Sequence, residues 1–343
     1  MSEFPNNEEE LDELLTHPWP ELVAFVNEIA SPLVVLGAGG KMGPSLCVLA
    51  KRAAAEAGVD LDVVAVSRFG ATAAREWLEA HGVQTASADL LDRSTLERLP
   101  DAQNVIYLVG MKFGTAANPS LTWAANTLAP THAAERYAGS RIVALSTGNV
   151  YPLTDVAEGG SLEDDPLTPI GEYANAAVAR ERLFEHFSRQ SGGPSVASIR
   201  LNYATELRYG VPVDIANKLL AGEPIDLRNG HFNCIWQGDA NDMILRALAL
   251  TTSPATAWNL TAPGVRSVRE TALRLGELLG CEPKFTGIEA TNTFLNNPAR
   301  LCAKLGEPPT PFATILERTA RWVKCGGPQH GKATHFEVRD GKF

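Results

Sequence analysis

The sequence predicts an α/β protein, a doubly wound parallel sheet with a smaller C-terminal substrate-binding lobe. Three observations predict it. Wholly apolar runs of strand length alternate with helical periods up to about residue 190. The first of these runs ends in glycines that open into a helix. Beyond residue 190 the alternation loosens, as it does where a chain leaves its sheet to build a second unit. Strands apolar on both faces belong in a parallel sheet covered by helices on each side.

Residues 1–30 read as a helical extension: "EEELDELL" and "PELVAFVNEIA" have helical spacing, interrupted by Pro18 and Pro20. Strand and helix then alternate. "PLVVLG" (32–37), "LDVVAVSR" (61–68), "VQTASADL" (83–90), "NVIYLVG" (104–110), "RIVALST" (141–147) and "PSVASIRLN" (194–202) are the strands. Between them lie the helical stretches 41–58, 72–82, 94–99, 120–139 (with Pro130 as a candidate kink) and one headed by Tyr173. A sheet core over 31–202, rejoined by 235–262, accounts for the regular part. Residues 203–234 and 263–343 supply the lobe and a tail without clear period, in which Cys325, His330 and His335 read as solvated.

The 343-residue chain is 45% hydrophobic and 20% charged, the balance of a globular protein. Its formal net charge of −10 argues against nucleic acid as the main partner. Five scattered cysteines without a CxxC pair suit a reducing, cytoplasmic setting, and no metal-ligand spacing stands out. No signal-peptide pattern or run of ~20 apolar residues is present, so no membrane association is expected.

"VVLGAGGKMGPS" sets Gly37, Gly40 and Gly43 at GxxGxxG spacing between strand and helix. Gly37 makes the tight exit, Gly40 lets backbone approach a pyrophosphate, and Gly43 permits close helix–strand packing. The helix N-terminus, reached through Lys41 and Met42, attracts the anion. These features predict a Rossmann-type dinucleotide site. At the end of the second strand, where a carboxylate would hold the ribose of NAD, stand Ser67 and Arg68. A hydroxyl and a guanidinium suit the 2′-phosphate of NADP, so NADP is expected ahead of NAD.

Further stretches give the chain its likeness. "ADLLD" (88–92), "VIYLVGMKFG", "LSTGNVYP" (145–152), "EDDPLTPIGEYANAAVARE" and "FNCIWQGDANDMILRAL" together resemble the extended short-chain dehydrogenase/reductases of the NAD-dependent epimerase/dehydratase kind. The resemblance covers roughly residues 32–280. It implies that Asp89 and Leu90 flank the adenine, that Val109 and Gly110 lie by the nicotinamide ribose, and that Asn126 matches a family asparagine. It places Thr147 and Tyr173 at the catalytic Ser/Thr and Tyr positions. It also implies a homodimer across the helices at 120–139 and 172–190, with Ala174, Ala177 and Val178 as an apolar strip.

One departure is large. In the family a lysine one turn below the tyrosine lowers its pKa and holds the cofactor ribose; here that position is Ala177. Three readings follow: Lys112 supplies the missing cation, or Thr147 and Tyr173 work without one, or the chain binds dinucleotide without turnover as a sensor or partner. The resemblance favours an enzyme for oxidation, reduction or epimerisation at a hydroxyl or ketone of a sugar or sugar acid.

Overall fold

The computed structural model describes residues 4–70, 72–112, 114 and 117–342; residues 1–3 of the N-terminal extension lie outside them. Its centre is a parallel sheet of seven strands: β1 (Leu33–Leu36), β2 (Val63–Ser67), β3 (Gln84–Ser87), β4 (Asn104–Tyr107), β5 (Arg141–Thr147), β6 (Ser195–Leu201) and β7 (Thr256–Leu260). They lie in the order β3-β2-β1-β4-β5-β6-β7, every neighbouring pair parallel. The order reverses between β1 and β4. A crevice opens at such a switch point, above the carboxyl ends of the strands.

The apolar strands read from the sequence are buried on both faces for a visible reason. Leu33 and Val35 of β1 pack with α3 (Gly43–Ala57), through Leu46, Leu49, Ala50 and Ala53. Val34 and Leu36 face the other layer. There they meet Ala129 and Ala133 of α6 (Pro119–Arg136) and Phe184 of α7 (Gly171–Ser188). Pro130 does not end α6; inside a helix it forfeits one backbone bond, which here would go to the carbonyl of residue 126.

A second apolar cluster gathers around three helices, 211–221, 268–279 and 312–324. The N-terminal extension joins both clusters. Leu11 and Leu15 of α1 (Glu8–Leu15) are buried in the lobe, while Leu22, Val26 and Ile29 pack under the sheet layer.

Cys325, His330 and His335 are exposed, while the tail that carries them is anchored at several points. Phe336 and Thr334 are fully buried. Thr334 donates to Asp214 through N–H (2.8 Å) and hydroxyl (2.6 Å). Arg339 donates to the Asn292 carbonyl at 2.7 Å, and His330 lies 3.2 Å from Glu206. These long-range polar anchors carry no sequence period, so no local pattern announces them.

Candidate functional site

The glycine turn follows β1, and its amides at 37 and 38 both bond the Val66 carbonyl of β2. Gly37 has φ +85, and a Cβ there would meet Val109 Cγ2 at 2.7 Å. At Gly43 a Cβ would lie 2.4 Å from the Ala38 carbonyl oxygen, so α3 approaches the turn only because residue 43 is glycine. Gly40 differs: its Cβ position meets only the Gly37 carbonyl, at 3.4 Å. Gly37 and Gly40 present bare backbone to an open pocket of about 380 Å³. Met42 caps α3 and holds its carbonyl to Ser45, 3.1 Å away, as part of the turn's support. Gly39, which sequence reasoning passed over, is fitted against Ser67, whose Oγ would stand 2.4 Å from a Cβ.

At one end of the pocket stand Ser67 and the exposed Arg68 at the end of β2, with Asp89 and Leu90 after β3. Asp89 accepts from the Leu91 N–H at 3.0 Å, which fixes this corner. At the other end the pocket reaches Val109 and Gly110, after β4. Asn126 lies behind Gly110 rather than in the pocket lining; its amide donates to the Thr122 carbonyl at 2.8 Å, and its Oδ1 has no partner. A buried arginine, Arg180 of α7, fills the space beneath Gly110 and donates from Nη1 to the Val109 carbonyl at 2.9 Å.

Thr147 ends β5 and Tyr173 heads α7, both largely buried. The helix packs on β5 and on the turn at 148–150. The Thr147 hydroxyl donates to Asn149 Oδ1 (3.0 Å) and accepts from the Asn149 N–H (3.2 Å), so it caps this turn. Ala177 is enclosed with Val150 and Tyr151. The alanine strip expected at a subunit contact is thus partly internal: Ala174 and Ala177 are buried within their own chain, and Val178 is half-buried. Arg200, on β6, is tied to Glu181 (2.8 Å) and to the Tyr151 hydroxyl (2.6 Å), and Tyr151 donates to Asn259. That arginine holds the sheet to α7.

Three lysines gather at the glycine turn. Lys41 Nζ lies 2.9 Å from the centroid of the Tyr209 ring. Burial, then repulsion from Lys332 and Lys112, pushes its pKa down to about 7. Lys112 is half-buried, 5.6 Å from the centroid of the Tyr203 ring, with its pKa lowered to about 8 by burial. Lys332 comes from the tail, and with Lys41 lines a neighbouring pocket of about 460 Å³ beside Gly39 and Gly40. Burial, then Asp214, then Tyr173 raise the pKa of the Tyr209 phenol.

A seven-stranded parallel sheet with a bare glycine turn at its switch point defines a Rossmann-type dinucleotide-binding protein. The description "NAD dependent epimerase/dehydratase family" matches residues 33–223, and the chain belongs to that family. The bare Gly40 backbone and the pocket running from Ser67 to Gly110 fit its nicotinamide dinucleotide cofactor. Among solved structures, the fold is similar to UDP-glucose 4-epimerase of Thermus thermophilus in complex with NAD (20% identity, TM-score 0.69, covering 84% of this chain and 98% of that one). It is also similar to DesIV, a dTDP-glucose 4,6-dehydratase from Streptomyces venezuelae, with NAD and TYD bound (20%, 0.71, 85% and 96%). A third is UDP-glucose 4-epimerase of Thermotoga maritima with UDP-glucose (18%, 0.69, 85% and 98%). No curated protein matches the sequence. Among the described residues no helix is long and apolar enough to cross a membrane.

Proposed function

We propose that the chain is an NAD(P)-dependent oxidoreductase or epimerase acting at a hydroxyl or ketone of a sugar or sugar acid. The observation that carries the reading is the pair of hydroxyls on packed elements, Thr147 closing β5 and Tyr173 opening α7, at the carboxyl side of the sheet. The similar folds named for enzymes of UDP-glucose and dTDP-glucose support a sugar substrate. Held by the glycine turn and the pocket from Ser67 to Gly110, a nicotinamide cofactor would supply hydride exchange at the substrate's carbinol carbon.

Tyr173 would accept the substrate hydroxyl proton and give it back. Thr147 would donate to the same oxygen, turning its proton away from Asn149. Lys112, its pKa lowered to about 8 by burial, would supply the cation that assists Tyr173 where position 177 offers none. A homodimer across α6 and α7 is part of the reading. Trp123 and Leu128 of α6 are exposed and support it, and sedimentation would test it.

The test is a screen of sugars, sugar acids and their nucleotide conjugates, reading cofactor absorbance and product stereochemistry. Tyr173→Phe should lower turnover by ~10²–10⁴-fold with cofactor affinity unchanged. Lys112→Ala should fall in the same direction. Full turnover in Tyr173→Phe would reject the hydroxyl pair, and silence across the screen would favour a dinucleotide-binding partner protein.

A further inference from the structure

Arg180 is 3% exposed. Among the described residues no carboxylate pairs with it; the adjacent Glu181 is committed to Arg200. Its Nη1 bonds the Val109 carbonyl, and its Nε has no partner. A buried guanidinium without a counter-ion is costly unless something nearby uses the charge. What lies above it is the end of the cofactor pocket, Val109 and Gly110.

The helix explains how it arrives there. Tyr173, Ala177 and Arg180 fall at i, i+4 and i+7, on one face of α7. Helical side chains lean towards the N-terminus, so a long side chain at 180 covers the turn that holds residue 177. Glycine at 110 admits the guanidinium.

We propose that Arg180 supplies the fixed positive charge of the cofactor cleft, one helical turn beyond the position where the family places its lysine. This rests on the dinucleotide-binding part of the proposed function. Arg180 is a positioning residue: it holds the end of β4 through Val109 and sets a positive field under the pocket, which favours an anionic dinucleotide. Lys112 has a separate part, because it loses charge near pH 8 while a guanidinium does not.

The experiment measures the Kd of NAD and NADP for the full chain by calorimetry, with no substrate. Arg180→Gln keeps a donor for the Val109 carbonyl and removes the charge; Arg180→Lys keeps the charge. Affinity should fall by roughly tenfold in Arg180→Gln, the scale of a unit charge acting over a few ångströms through partly dry protein. It should stay near normal in Arg180→Lys. Ala177→Lys added to Arg180→Gln should restore it, since the charge returns by the other route. Wild-type affinity in Arg180→Gln, or equal losses in the Gln and Lys variants, would overturn the assignment. Should Arg180→Gln fail to fold, Arg180→Met against Arg180→Lys makes the same comparison of charge removed with charge kept, and equal affinities refute the assignment. Failure to find a sugar substrate leaves these affinities readable, so the two readings fail separately.

Discussion

Gly110 and Arg180 compete for one space: a Cβ on residue 110 would stand 2.5 Å from Arg180 Nη1. The glycine there makes room for the protein's own arginine. Gly110→Ala should therefore destabilise the fold by about 1–3 kcal/mol, the usual scale of overpacking. In an Arg180→Ala background the same change should cost little. Thermal unfolding of the two single variants and the double variant gives the coupling directly; strictly additive losses would separate the two residues.

The fold could be read from the sequence because each layer writes its own period. The apolar strands and the helices between them needed no long-range knowledge, and Gly37 and Gly43 announced a turn whose tight contacts are now visible. Arg180 could not be read in this way. In "AVARERLFE" it looks like one more charged residue on a helix surface, and its burial is decided by β4, which lies some 70 residues earlier. The tail was equally silent. Its order comes from single anchors, Phe336 in the lobe and Thr334 on Asp214, scattered over an aperiodic stretch.

Gly40 should behave differently from Gly37 and Gly43. Its φ lies outside the positive range and its Cβ position is open, so Gly40→Val should leave the melting temperature nearly unchanged. The branched side chain would project into the pocket, and dinucleotide binding should be lost. A folded variant with wild-type affinity would show that the phosphates rest elsewhere.

Cofactor choice turns on the end of β2. Ser67 and the exposed Arg68 line the pocket together, and the Gly39 backbone is fitted tightly against Ser67. Arg68→Ala should weaken NADP by about 1.5–3 kcal/mol, the range for a hydrogen bond to a charged group, and NAD far less. Titration of both cofactors at one salt concentration measures this. Equal losses, or tighter binding of NAD to the wild type, would place the 2′-phosphate preference elsewhere.

Binding at the glycine turn should also depend on pH through Lys41. Burial and two neighbouring lysines hold its pKa at about 7, against an ordinary value near 10.5. In the free protein the amine is therefore charged below about pH 7 and mostly neutral above it. An anion at the turn favours the charged form and raises the pKa, so binding should take up a proton at pH values above about 7. Affinity should be greatest on the acid side of this range and fall as the pH climbs through it. Calorimetry in buffers of different ionisation enthalpy counts the proton, and Lys41→Met should flatten the profile and abolish the uptake. The stability contribution has the opposite slope. Unfolded Lys41 keeps its proton to near 10.5, so the folded protein without ligand should gain stability from this residue as pH rises above about 7. A dinucleotide affinity that does not change with pH in the wild type would remove Lys41 from the phosphate site.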